Sequence, residues 1–545
     1  MSNLESIRKQ NIERNKELLK KLNLASLSAS ITSDIKPKNK VKTQPKVKVN
    51  KPLPTRRSKR LAKDPEDEKD RALQEDIANK ELLAQQQLRE SRLSKLKGDF
   101  NIQDLLAEHK SGNLVAEEYI LGIQNSRKTK TDSKIEIPEL DARTRYDLSV
   151  IKEMGTKVSD QVQEVSQEAG KSKSNLTTTK KEFSKLELHS LTDPSKVKLT
   201  PHRITSILFH PSTTERLAFA GDTNGTLGIW AIDQKTQDNE PVIVLAKPHG
   251  RTISKIIDVP QNPIHIITGS YDGSCRVLDL SKQVIVESFS MEDTMGVSLG
   301  ISDINCASPN MLYVTTLSGH LFKHDTRQSS KSIKYEDLLR LHDKKIGGFC
   351  INPSSEHQIA TASLDRSLKI WDLRSVSKRN SHSEILDGLS SPQSRGAYSS
   401  RLSISNVDWN MNQRIVCNGY DDTIRLFDVS SYTDAGYGIR KRGQKRPPPE
   451  QENLEAQTVL KHNCQTGRWV SILKSRWQRS PRDGIQKFAI GNMNRSIDIY
   501  AEDGHQIANL AEPGVMTAVP AVVTFHPTAN WVLGGNSSGK VFLFN

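Results

Sequence analysis

No apolar run in this 545-residue chain approaches the ~18 residues needed to span a bilayer, so membrane insertion is not expected. Cysteine is almost as scarce. Cys275, Cys306, Cys350, Cys417 and Cys464 are odd in number, scattered, and form no C-x-x-C pair. That usage fits reduced thiols inside a cell and supplies no zinc site. The chain is polar from Ser2 onward, without the apolar stretch of a secretory leader. Catalytic signatures are missing too: neither G-x-S-x-G nor H-E-x-x-H occurs. Gly534-Gly-Asn-Ser-Ser-Gly-Lys540 matches a phosphate-binding loop only superficially. Val541 stands where that loop needs Ser or Thr, and strand-like residues follow where a helix should begin. No enzymatic activity, cofactor, metal or small-molecule substrate is therefore expected.

Acidic residues vanish in one stretch. Between Lys36 and Lys63 there are twelve Lys and Arg, no Asp or Glu, and four prolines. Such a segment cannot build a core and is expected to be disordered. Its Pro54-Thr-Arg-Arg-Ser-Lys-Arg60 reads as a nuclear import signal, a non-specific DNA contact through Arg56, Arg57, Lys59 and Arg60, or a solvated linker. The whole chain carries a formal charge of +15 and a pI near 9.4. Most of the surplus is upstream: residues 1–199 hold about 41 basic against 30 acidic residues, and residues 200–545 about 38 against 34. A basic arm on a folded body favours polyanionic partners.

Around that arm, residues 4–22 carry a narrow apolar stripe (Leu4, Ile7, Leu18, Leu22) at helical spacing, and residues 66–109 return to helical character. Residues 110–180 are mixed and expected to be mobile or locally helical.

What the rest of the chain has in quantity is one repeated hairpin. Ile359-Ala-Thr-Ala362 and Leu368-Lys-Ile-Trp371 alternate apolar and polar residues on either side of the turn Leu364-Asp-Arg-Ser367. The closing Trp371-Asp372 is the dipeptide of WD repeats. The Trp371 position recurs as Trp230, Leu278, His324, Phe427, Tyr500 and Phe544, with a turn residue six positions earlier in every case. Each unit also has an apolar strand upstream. Seven units predict an all-β, seven-bladed WD-repeat propeller over 181–545, preceded by a basic, partly helical and largely disordered region at 1–180. The last unit ends without a fourth strand, which Phe183–Leu188 or Val197–Leu199 could supply. His210-Pro211 and His526-Pro527 fall at equivalent strand ends and read as turn residues rather than a metal pair.

Two loop insertions stand out, at 375–400 and 430–462; the second contains Lys441, Arg442, Lys445 and Arg446. Just beyond it, Arg468, Lys474 and Arg476 accompany Trp469 and Trp477. Basic groups attract phosphates, and an aromatic ring can stack on an unpaired base or wedge into a weakened base step. Both tryptophans could equally be core residues of the sixth unit.

The repeat body, Thr55-Arg-Arg-Ser-Lys-Arg-Leu61, the opening helix and Gln465-Thr-Gly-Arg-Trp-Val470 together resemble the fungal DNA damage-binding WD-repeat proteins of the CMR family. That family is similar to the damaged-DNA-binding propeller subunit of ultraviolet-lesion repair, in which an aromatic-containing tripeptide enters the lesion. Gly467-Arg468-Trp469 occupies the comparable place, with a different tripeptide. The resemblance implies binding to double- and single-stranded DNA with a preference for ultraviolet damage, and a location in the nucleus, with the cytoplasm as a second site. Trp371-Asp372-Leu373-Arg374 resembles the box by which some propellers join a ubiquitin-ligase adaptor. The alternative reading is therefore a nuclear interaction scaffold for chromatin proteins or such an adaptor.

Overall fold

The computed structural model describes residues 96–117, 120, 140–161, 175–292, 297–328, 332–378, 389–432, 452–464, 467 and 470–545. The expected helix at 4–22, the basic segment with Arg56, Arg57, Lys59 and Arg60, the loop with Lys441, Arg442, Lys445 and Arg446, and Arg468 and Trp469 all lie outside them.

Each sequence repeat becomes one antiparallel unit, with strands paired in chain order from the inside outward. Unit one comprises Ile204–Phe209, Leu217–Asp222, Leu227–Lys235 and Pro241–Ala246. Units two to seven begin with Ile253–Val259, Ile301–Ser308, Ile346–Asn352, Ile404–Trp409, Arg476–Trp477 and Val522–Phe525. These innermost strands pack on one another in that order, and Val522–Phe525 returns to Ile204–Phe209. That is the arrangement of a propeller. Every sheet lies between two neighbours, so both faces of a strand are covered. Leu217–Asp222 is buried at all six positions for this reason.

Both segments that could complete the last unit do so. The Glu187 N–H donates to the Asn545 carbonyl (3.4 Å), and His189 N–H to Leu543 (2.8 Å). Further along the same strand, Leu199 N–H donates to Gly539 (2.8 Å) and Val541 N–H to Val197 (3.1 Å). The ring thus closes through an interrupted outer strand, which leaves no open sheet edge there.

The fourth unit shows what makes a repeat rigid. His342 Nδ1 faces Asp365 Oδ2 at 2.7 Å, and its Nε2 faces the Thr361 hydroxyl at 2.7 Å. The indole N–H of Trp371 donates to that same hydroxyl (2.8 Å). Burial lowers the His342 pKa, which favours the neutral ring this relay requires. Unit two repeats it with His249, Thr268 and Ser274, but Leu278 replaces the tryptophan.

Gly534–Lys540 is a hairpin turn, with Asn536 Oδ1 accepting the N–H groups of Ser538 and Lys540. His210 and His526 serve their turns: Ser212 N–H donates to the first, Thr528 and Ala529 N–H to the second.

The body reaches upstream of residue 181. Phe100–Asn101 pairs with the outer strand of unit two. Helix α1 (Ala142–Gln161) lies on units one and two, burying Leu148, Ile151, Met154 and Val158 at helical spacing. Gly155 permits the approach, since a Cβ there would sit 2.8 Å from the Leu280 carbonyl carbon. Helix α2 (Leu176–Phe183) anchors Phe183 in the core of units six and seven. The stretch at 110–180, expected to be mobile or locally helical, thus contains α1 and the start of α2, and both helices are packed because their apolar faces find partners on the ring.

Candidate nucleic-acid interface

All innermost strands run in the same direction through the ring, so the residues just before them share one mouth of the central channel. At that mouth stand Arg203, Arg251, Lys345 and Arg401, from units one, two, four and five. The turns between second and third strands reach the same rim. Tyr271 N–H donates to the Thr252 carbonyl, Leu364 N–H to Lys345 and Tyr420 N–H to Ser403. Arg251, Lys344, Arg366, Arg401 and Arg495 are exposed there, while Tyr271 and Tyr420 are half-buried. Nearby carboxylates are engaged: Asp343 with Arg340, Asp365 with His342 and Asp421 with Arg425.

The third residue of each of these seven turns has a left-handed backbone. Gly225, Gly273, Gly319 and Gly539 adopt it freely, at φ of 85°, 80°, 87° and 83°. Arg366 (74°), Asp422 (56°) and Arg495 (65°) adopt it against their own Cβ. Asp422 has a structural use, since its Oδ1 accepts the Cys464 N–H. The two arginines point to a functional one. Replacing either Arg366 or Arg495 by glycine is expected to hold or raise stability, by up to about 1 kcal/mol in denaturant titration, as relieved strain exceeds the added chain entropy. The same variant should weaken DNA binding and lower its salt slope by about 1.

Inside the mouth the charges become dense. A cavity of 270 Å³ runs down the channel, lined among others by Lys255, Asp408, Lys474, Arg476 and Arg479. Asp303 is fully buried. Its oxygens accept the N–H groups of Ile304 (2.9 Å) and Phe349 (3.3 Å), with Lys255 Nζ at 3.4 Å and Arg476 Nη2 at 3.9 Å. Burial works to raise this carboxyl, and Lys255, Arg476 and Lys474 outweigh it, so it stays below the usual range. At the far end Arg479 binds Asp258 at 2.9 and 3.1 Å.

Of the residues expected to bind DNA, Lys474 and Arg476 are thus brought together inside the channel. Trp477 is not available and is corrected to a core residue. It is 7% exposed, packs edge-on against Phe488 and donates its indole N–H to the Asp408 carbonyl (3.2 Å). Alternation along the strand turns its ring between sheets while Lys474 and Arg476 face the channel.

Trp371 and Asp372 are buried as well. Arg374 closes its fork on Asp372 through Nε and Nη2, both at 3.0 Å, and Arg395 holds the same carboxylate. Arg327 repeats that closure on Asp325 in unit three. Blade geometry thus accounts for the buried Trp371 and for the pairing of Arg374 with Asp372.

Sequence reasoning missed Lys255 and the whole rim. The available signal was a register: basic residues stand just before the first strand in units one, two, four and five, and at the third turn position in units four and six.

The family model "WD domain, G-beta repeat" matches residues 334–372, the stretch bearing the His342–Thr361–Trp371 relay. A Debaryomyces hansenii protein named DNA damage-binding protein CMR1 is 43% identical in an alignment covering all of this chain and 99% of that protein. Proteins of the same name from Meyerozyma guilliermondii and Candida albicans are 43% and 41% identical, over the full length of both chains. The chain belongs to the CMR1 family. The resemblance drawn from the repeats and the Gln465–Val470 stretch is therefore borne out for the chain as a whole. Within this CMR1-family chain, the repeat matched by the family model is also the one with the complete buried relay.

Proposed function

We propose that this chain binds DNA at the basic mouth of its channel and prefers damaged over intact duplex. The observation that carries the reading is the ring of exposed cations, Arg251, Lys344, Arg366, Arg401 and Arg495, in a chain whose relatives are named for damaged-DNA binding. The rim holds backbone phosphates without reading sequence. Arg468 and Trp469 stand between Cys464 and Val470, just before the innermost strand of unit six. There a ring could enter a weakened base step, which costs least where damage has already loosened stacking. The segment at 36–63 and Lys441, Arg442, Lys445 and Arg446 add salt-sensitive contacts, and the first of these suits import into the nucleus.

The test is titration of irradiated and intact duplexes of one sequence, with wild type and Trp469→Ala. The variant is expected to lose the preference for irradiated duplex and keep weaker, salt-sensitive binding to both. Equal losses on both substrates would assign Trp469 to folding. No affinity at any salt would leave a platform for other proteins, such as chromatin components or a ubiquitin-ligase adaptor.

A further inference from the structure

Lys474 is the anomaly of the channel. Among the described residues it makes no hydrogen bond and no ion pair, although it stands in a crowd of charge. The groups facing it are Lys255 from unit two, Asp303 from unit three, Lys345 from unit four and Arg476 from its own unit. The carboxylate is already shared among Lys255, Arg476 and two backbone N–H groups. Asp408, from unit five, accepts the N–H groups of Trp409 (3.1 Å) and Trp477 (2.9 Å). Lys345 leans on a neutral partner, the Tyr271 hydroxyl, at 2.8 Å. With Arg479 matched to Asp258, four cations are left facing two carboxylates. Unmatched charge in a confined site is costly unless an anion neutralises it.

We propose that the channel mouth is a site for one phosphate group, gripped by Lys474 with Lys255, Lys345 and Arg476. With Lys474 protonated, the two surplus positive charges suit a phosphate monoester dianion: the end of a nucleic-acid strand, or a free phosphate. The 270 Å³ cavity beside Lys255, Lys474 and Arg476 has room for a phosphate and its ester carbons. The inference deepens the reading of this mouth as the DNA side and rests on it for the strand-end source only.

A consequence separates this site from the rim. Burial, with Arg476, Lys255 and Lys345, brings Lys474 down to about 7. An arriving dianion reverses the balance, so the site takes up part of a proton on binding near neutral pH.

The experiment is calorimetric titration of the full-length protein with inorganic phosphate, in two buffers of different ionisation enthalpy, at about pH 7.5. The same measurement follows with a short single strand carrying a 5′-phosphate or a 5′-hydroxyl. Wild type is expected to bind phosphate with net proton uptake and to favour the 5′-phosphorylated strand. Lys474→Arg, always charged, should bind phosphate without the uptake. Lys474→Met should lose about tenfold or more in phosphate affinity with an unchanged melting temperature, since it removes an unpaired ammonium. Phosphate binding with equal affinity for both strands keeps the site and assigns it to free phosphate. No phosphate binding by wild type, undiminished binding by Lys474→Met, or undiminished proton uptake by Lys474→Arg overturns the proposal. The phosphate titration involves no DNA, so its failure is distinct from failure of DNA binding at the rim.

Discussion

A protein with Arg251, Lys344, Arg366 and Arg401 all replaced by glutamate should fold normally and hold duplex DNA only weakly. The four side chains are exposed, so their loss leaves no buried partner stranded. Each cation that neutralises a phosphate releases counterions, and the logarithm of affinity then falls with the logarithm of salt by about 0.9 per contact. Four contacts predict that wild type loses about a hundredfold more affinity than the variant between 50 and 200 mM salt. At the low-salt end the variant should bind at least about a hundredfold more weakly, since the glutamates also repel the backbone. Electrophoretic or fluorescence titration across salt, with melting curves as the folding control, decides the matter. A variant with wild-type affinity and salt slope would remove DNA from this face altogether.

The second large effect concerns where the folded body begins. A chain started at residue 181, the boundary the repeats suggest, is expected to be insoluble or only loosely folded. One started at residue 96 should melt like the full-length protein. Leu96, Phe100, Ile102, Leu105, Leu106, Ile120, Leu148, Ile151 and Met154 share a core with Leu217, Phe219, Ile253 and Leu278 of units one and two. At about 1.5–3 kcal/mol for each large side chain, their burial contributes more than such a domain's whole margin of stability, before chain entropy is subtracted. The cut also strands Arg276. It is 1% exposed, donates from Nη1 to the Gly98 carbonyl (2.9 Å) and from Nη2 to Leu96 (2.5 Å), with Glu287 at 3.7 Å. Without the upstream strap, a buried guanidinium keeps only part of its partners, a loss of several kcal/mol by itself. Melting and light scattering of the two chains would show it. Equal melting temperatures would mean that the strap is dispensable. The chain from residue 96 is the one in which DNA binding without the basic arm should be measured.

The hairpins were legible because everything that makes them is local. Alternation shows which residues face a neighbouring sheet, a turn residue six positions before the buried Trp371-type position marks the bend, and repetition removes the ambiguity of any one copy. Lys474 and Arg476 were legible as cations next to tryptophans. Alternation with Lys474 and Arg476 favours a core place for Trp477, and the sheets beside it show that it packs on Phe488.

By itself, then, the order of amino acids determined the repeat, its register, the closing of the last unit by an upstream segment and the membership of a damage-binding family. Only the tertiary structure decided which cations meet. Lys255, Asp303, Lys345 and Lys474 come from four different units and share one mouth because parallel inner strands bring their ends together. It also decided that residues 96–117 and 142–161 belong to the body, since their apolar faces are completed by strands about a hundred residues downstream. Pairing over such distances leaves no periodic trace in the chain. It follows from the ring, whose closure sets every neighbour at once.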